Sequence, residues 1–186
     1  MLTDGNFVEE DSLEHFIPIR DLEGSFAGIA DIDAIASAAI AAAAEDEMTN
    51  AAGFLSLVDG ETGFRLEVAR AMTDFLGGRT NMAEKTLREL AETGDPGRVE
   101  ASVNAVGYTL FQAERLQPAA RVFELNTELF PEAFNTWDSL GEAFMHLGKD
   151  KKAITCYERS LELNPENTNA EEMIARIRDE VSAPTN

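Results

Sequence analysis

The 186-residue sequence holds one cysteine, Cys156, two histidines, His15 and His146, and one tryptophan, Trp137. A lone cysteine excludes an intrachain disulfide and agrees with a reducing compartment. Two histidines far apart in sequence, with carboxylates spread along the chain, do not make a metal-ligand cluster. The stretch "DGETG" at 59–63 is too short for a calcium loop. No metal and no cofactor is therefore expected. No basic segment followed by an apolar one opens the chain, so no signal peptide is expected and the location reads as cytoplasmic. The most apolar run, "AIASAAIAAAA" at 34–44, falls short of the about 20 residues that a helix needs to span a bilayer. Its alanines predict a helix packed closely on a neighbour.

Basic residues are also scarce. There are 15 Lys and Arg against 35 Asp and Glu, a formal net charge of −20. Such a surface repels phosphate backbones and anionic lipid, which argues against nucleic acid and membrane as partners. A neutral-to-basic protein or peptide suits it better, although solubility alone also accounts for the acidity. Nucleophile motifs are missing: no Ser is followed three residues on by Lys, and no P-loop occurs. The stretch "GSFAG" at 24–28 lacks the glycine that a serine elbow places two residues before its serine. His146 and Cys156 fall in different helical stretches with no orienting group in sight, whereas a Cys–His pair needs both contact and orientation. His146 is expected at a surface or groove near a helix C-terminus, and Cys156 as a small buried hydrophobe. A non-enzyme is expected.

What is present is a period. Gly107 and Gly141 lie 34 apart, as do Ala119 and Ala153, Phe123 and Tyr157, Leu129 and Leu163, and Pro131 and Pro165. Val106 matches Leu140, and Leu110 matches Phe144. A fixed period over many positions marks a repeated supersecondary unit. The later copy, "NTWDSLGEAFMHLGKDKKAITCYERSLELNP" at 135–165, reads as two helices. Trp137, Leu140, Phe144 and Leu147 recur at helical spacing. Gly148 supplies a stop and Asp150 a cap for the next helix. Ala153, Ile154, Tyr157 and Leu161 face inward, and Asn164-Pro165 ends the helix. In the earlier copy Asp95-Pro96 caps one helix, lined by Val103, Val106 and Leu110. Pro118 opens the next, which carries Val122 and Phe123. Gly107 and Gly141 are expected to meet Ala119 and Ala153, small against small.

The later copy resembles a tetratricopeptide repeat (TPR), carrying Trp137, Leu140, Gly141, Phe144, Ala153, Tyr157 and Pro165 of that signature. Ser160 replaces a small residue. The earlier copy is similar through Gly107, Ala119, Phe123 and Pro131, with Val103 in place of the aromatic and Asn126 in place of a small residue. The resemblance covers residues 100–167 and implies an all-α fold: a short right-handed α-solenoid of helical hairpins with a C-terminal capping helix and a helical N-terminal extension. The expected organisation is 1–60 as an extension, partly irregular with an Ala-rich helix capped by Asp31 or Asp33. A degenerate TPR-like hairpin follows at 61–97, with Phe64, Val68, Met72 and Phe75 on one stripe and Met82, Ala83, Leu87 and Leu90 on the other. Two repeats occupy 98–167, and a capping helix 168–181 starts from a Thr168…Glu171 capping box. The tail, 182–186, reads as disordered. The stretch "FVEEDSLEHFIPIRDLEGSFAGI" is extended or irregular, and "SLVDGETGF" joins two helices rather than turning a hairpin.

In proteins of this family, ligands lie along the face formed by the first helices. Carried over by position, that face comprises Asn104, Tyr108, Phe111 and Gln112 in the earlier copy and Asn135, Asp138, Glu142 and Met145 in the later. Members that grip acidic peptide tails use Lys, Arg and Asn at such places. Asp138 and Glu142 point instead to a segment with basic and apolar residues. The competing readings are a solvated face and one covered by residues 1–60. Self-association into a homo-oligomer is a further possibility. The phrases "VGYTL", "FELNTELFPE" and "WDSLGEA" also resemble the repeat tail of some bacterial serine hydrolases, β-lactamase-like and esterase-like. That implies an alternative role, an accessory module of such a hydrolase in cis or in trans.

Overall fold

The computed structural model describes residues 16–20, 26–45, 47–60 and 62–182. His15 and residues 183–186 of the expected tail lie outside the described residues. The chain divides into two compact units between Gly78 and Arg79.

In the first unit, strands β1 (Phe16–Arg20) and β2 (Phe26–Asp31) pair antiparallel, with Phe16 opposite Asp31 and a register shift beside Arg20. Extended backbone thus occupies the described part of the aperiodic N-terminal stretch. Helix α1 (Ile32–Ala44) follows at once and packs on α2 (Met48–Ser56) and α3 (Phe64–Leu76). Ala42, Ala43 and Ala51 form a buried cluster, so the alanine run does allow close helix approach. Helix α2 was not expected; it has no side-chain cap and contains Gly53, so it lacks the usual start signal. Residues 57–60 turn between α2 and α3, as a helix join. Arg70 of α3 donates to the Val58 carbonyl at 3.0 Å and pairs with Glu67 at 2.8 Å.

The second unit is a stack of helices: α4 (Thr80–Thr93), α5 (Pro96–Gln112), α6 (Leu116–Leu129), α7 (Phe134–His146), α8 (Asp150–Leu163) and α9 (Thr168–Ser182). α5 packs on α6 and α7 on α8 as helical hairpins; α6 meets α7, and α9 meets α8. This second unit is the all-α, TPR-type stack of helical hairpins expected. The helix pair placed at 61–97 is divided by the unit boundary, α3 lying in the first unit and α4, against α5, in the second. Met82 of its expected apolar stripe is 59% exposed, whereas Ala83 and Leu87 are buried.

The nearest neighbour of each of the two glycines is an aromatic ring. A Cβ on Gly107 would stand 2.3 Å from the Phe123 ring, and one on Gly141 would stand 2.9 Å from the Tyr157 ring. Each hairpin therefore seats a fully buried aromatic ring of its second helix on the bare backbone of its first. Ala119 and Ala153 are buried too, but the close approach at glycine belongs to the aromatic. Asn126 and Ser160, the two departures from a small residue, take equivalent positions. Asn126 donates to the Glu100 carbonyl at 3.2 Å, and Ser160 to the Phe134 carbonyl at 2.9 Å. Each polar side chain ties the second helix of its hairpin to the start of the first.

Helix ends follow local chemistry, with two corrections. Asp95 caps α5 as expected, accepting from Gly97 N at 2.9 Å with Pro96 in the first turn. Asp150, expected as a cap, lies inside α8, after Lys149 in the cap position; its carboxylate sits in the first turn, where the helix dipole favours negative charge. Asn167, not Thr168, precedes α9 and accepts from Ala170 N at 3.4 Å. It stands one position outside the helix, where a cap must be. Trp137 is only partly buried, its indole N–H donating to the Pro131 carbonyl at 2.8 Å. It braces the preceding loop rather than filling the core, so it is not the deep anchor its signature place suggests.

Gly148 ends α7 with φ +66°, and the equivalent residue after α5 is Glu114 at φ 59°. Both carry the same pair of closing bonds: Gly148 N and Lys149 N to Met145 O and Phe144 O, and Glu114 N and Arg115 N to Phe111 O and Leu110 O. A left-handed backbone costs a non-glycine residue about 1–2 kcal/mol. Glu114→Gly is thus expected to raise stability by about 0.5–1 kcal/mol after glycine's greater chain entropy is counted. Urea unfolding checks this, and a destabilised variant would contradict the strain. Gly107→Ala should destabilise by about 1–3 kcal/mol through overpacking. It should cost more than Gly141→Ala, whose added methyl lies farther from its ring. Equal melting of the two variants and wild type would refute the seating of the rings.

Candidate functional site

Asn104, Tyr108 and Phe111 recur at helical spacing along α5, and Asn135, Asp138, Glu142 and Met145 do so along α7. The two helices meet, and the Tyr108 hydroxyl crosses between them. It donates to Glu142 Oε2 at 2.9 Å and lies 3.3 Å from Ser139 Oγ. Tyr108 and Glu142 occupy the same position in successive repeats, so this bond spans the repeat junction. Burial, chiefly, pushes the Tyr108 phenol up to about 12; the Glu142 and Asp138 charges add to the rise. A phenol held protonated remains a donor at neutral pH.

Aromatic rings extend the face. Tyr108 and Phe111 stand edge to face with centroids 6.2 Å apart, and Phe111 meets the His146 ring at 4.9 Å. His146 is exposed in the last turn of α7, at the surface where it was expected. Gln112 is exposed at the end of α5, and Met145 is half-buried near the end of α7.

The remaining predicted residues are engaged differently. Asn135 donates to Glu100 Oε1 at 2.8 Å, and Asn126 also reaches that carboxylate at 3.4 Å. Burial raises the Glu100 pKa, and the two amide bonds oppose the rise. Asp138 accepts from Asn167 at 2.8 Å and from Asn169 at 2.9 Å, so it ties α7 to the start of α9. Asn167 donates in turn to Ser160 Oγ at 2.8 Å. Asn104 is partly buried, and its Oδ1 has no hydrogen-bond partner among the described residues.

Sequence reasoning missed Glu100, Ser139, Tyr157, Asn167 and Asn169 as neighbours of this face. Tyr157 was read only as a packing residue. It is wholly buried, yet its hydroxyl has no hydrogen-bond partner among the described residues. Burial raises its pKa, and Asp138 and Glu142 raise it further. The departures at Asn126 and Ser160 were the available signal, since a polar residue at a small, buried place needs a partner.

Cys156 lies elsewhere, buried in α8, and burial pushes its thiol up to about 12. No group of three or more His, Cys, Asp or Glu among the described residues could hold a metal ion. No helix among them is long and apolar enough to cross a membrane. The raised thiol and phenols set an alkaline limit. Burial pushes Cys156 and Tyr108 up from their ordinary 9.0 and 10.0 to about 12, so the folded state holds protons that the unfolded state releases first. Their contribution is intact below pH about 9 and is lost as pH rises through 9 to 12. Melting temperature should fall across that window, and Cys156 should resist iodoacetamide at pH 8 until denaturant is added. Fast labelling of the native chain would contradict the buried thiol.

Residues 134–167 match the family model described as tetratricopeptide repeat. Among solved structures, a MamA structure is 16% identical over 76% of this chain and 82% of that chain, with TM-score 0.47. A MamA structure labelled AMB-1 is 21% identical over 80% and 81%, with TM-score 0.44. The first TPR of Spaghetti (RPAP3), bound to an HSP90 peptide, is 20% identical over 63% of this chain and 92% of that chain, with TM-score 0.45. No curated protein matches. The ring of Tyr157 on Gly141, helices α7 and α8, and the family match all fall on the same residues, so residues 134–167 form a tetratricopeptide repeat.

Proposed function

We propose that the chain is a non-enzymatic interaction module whose α5–α7 face takes a neutral-to-basic peptide or protein segment. The observation that carries this reading is the chemistry of the face. Asp138 and Glu142 lie one turn apart on α7, and their hydrogen bonds come from neutral donors: Tyr108, Asn167 and Asn169. Helix α7 carries no Lys or Arg. Two carboxylates bonded only by neutral groups keep their negative field, and the Tyr108–Phe111–His146 edge beside them offers apolar area. That pairing suits a segment with cationic and apolar side chains. Asn104 and Gln112 on α5, and Asn135 and Met145 on α7, complete the proposed contact surface. A second reading, an accessory module of a serine hydrolase, rests on the sequence phrases "FELNTELFPE" and "WDSLGEA" alone. It demands a folded domain as partner in place of a free segment.

Selection of a random displayed dodecapeptide library on the full chain tests the first reading. Enriched peptides should carry Lys or Arg beside apolar residues. Glu142→Lys should weaken them by about tenfold or more, while its circular-dichroism melt stays close to wild type. No enrichment, or binders indifferent to both Glu142→Lys and Phe111→Ala, would remove this face from the account.

A further inference from the structure

The polar atoms at the junction of α5, α7 and α8 are unequally satisfied. Asp138 and Glu142 receive bonds, but no Lys or Arg pairs with either among the described residues. The buried Tyr157 hydroxyl, near enough to Asp138 and Glu142 to feel their charges, has no partner among the described residues, and Asn104 Oδ1 on α5 has none either. The Tyr157 ring lies against Gly141, with Asp138 one turn before that glycine and Glu142 directly after it. Asn104 is the α5 counterpart of Asp138, one turn before Tyr108. All of these groups can accept a hydrogen bond, and the fixed charges among them are negative.

The complement to such a set is a group that only donates and carries positive charge. An ammonium has three donors and no acceptor. It is also compact, whereas guanidinium is a planar fork that needs a wider slot. The Tyr157 hydroxyl is fully covered, so an incoming group must travel on a thin flexible stem. We propose that the α5–α7 junction is a subsite for one lysine side chain of the bound segment, its ammonium held by Glu142 and Asp138 and donating to the Tyr157 hydroxyl. The Tyr108 hydroxyl rotates aside to admit it, leaving Glu142 to exchange a neutral donor for a charged one. Charge-assisted bonds are roughly twice as strong as neutral ones, which favours the exchange. This subsite rests on the segment-binding reading above and names what anchors the segment.

The test uses n-butylammonium chloride, a lysine stem and head group, titrated into the full ¹⁵N-labelled chain at constant ionic strength. Amide shifts should saturate at Tyr108, Asp138, Gly141 and Glu142. Affinity should fall about fivefold in Tyr157→Phe, as for loss of one hydrogen bond, and by more in Glu142→Gln. The two variants remove different groups, so misfolding of one leaves the other as the test. Equal shifts with n-butylguanidinium would overturn the choice of lysine. Shifts unchanged in the variants, or no saturation at these amides, would overturn the subsite. Displayed peptides that lack lysine yet bind in a Glu142-dependent way would also overturn it while leaving segment binding intact. Failure of the display selection itself would strike the broader reading.

Discussion

An aromatic ring pressed on a helix backbone admits nothing at that point but glycine, and the second unit is arranged around two such seats. Phe123 on Gly107 and Tyr157 on Gly141 fix how deeply each second helix sinks into the first. Once that depth is set, the neighbours of each glycine have no freedom of placement. Asp138 and Glu142 must flank the Tyr157 ring, and Tyr108 must face the next repeat at Glu142. The proposed binding chemistry is thus a by-product of a packing requirement, with carboxylates carried on positions that the ring contact holds still.

The same carboxylates carry structural duties. Asp138 gathers Asn167 and Asn169 at the entry to α9, and Glu100 gathers Asn126 and Asn135 where α5, α6 and α7 converge. Neutral amides are apt partners for this work. They satisfy the oxygens without cancelling the charge, so a face can be ordered internally and still attract a cation. Lys or Arg at those positions would have quenched the field while closing the same junctions.

Much of this was legible in the sequence, and the reasons for success and failure are physical. The period survived because glycine, alanine, aromatic and proline each answer a steric demand that recurs once per hairpin. The Asp95-Pro96 start was legible because a cap is local. The cap of α9 was not, because Thr168 and Asn167 are both competent and only the path of the chain decides between them. Helix α2 escaped notice since tertiary packing on α1, rather than a cap or a strong period, supports it. Trp137 shares the helical spacing of Leu140 and Phe144, yet its N–H is taken by a loop carbonyl that no spacing reveals. On the site, the positions on α5 and α7 came from the family resemblance, carried over at the 34-residue period. The bonds that tie them to Tyr157, Asn167 and Asn169 come from other helices, and no local pattern encodes a meeting across a junction.

Helix α9 continues the register of the first helices, with Ile174 buried in the line of Val106 and Leu140. At the place corresponding to Gly107 and Gly141 it carries Ala175, which is exposed. One methyl group there denies a ring its seat. A ring could not lie as close to the α9 backbone there as Phe123 and Tyr157 lie at Gly107 and Gly141. The difference from Gly107 and Gly141 at this place is a single methyl group.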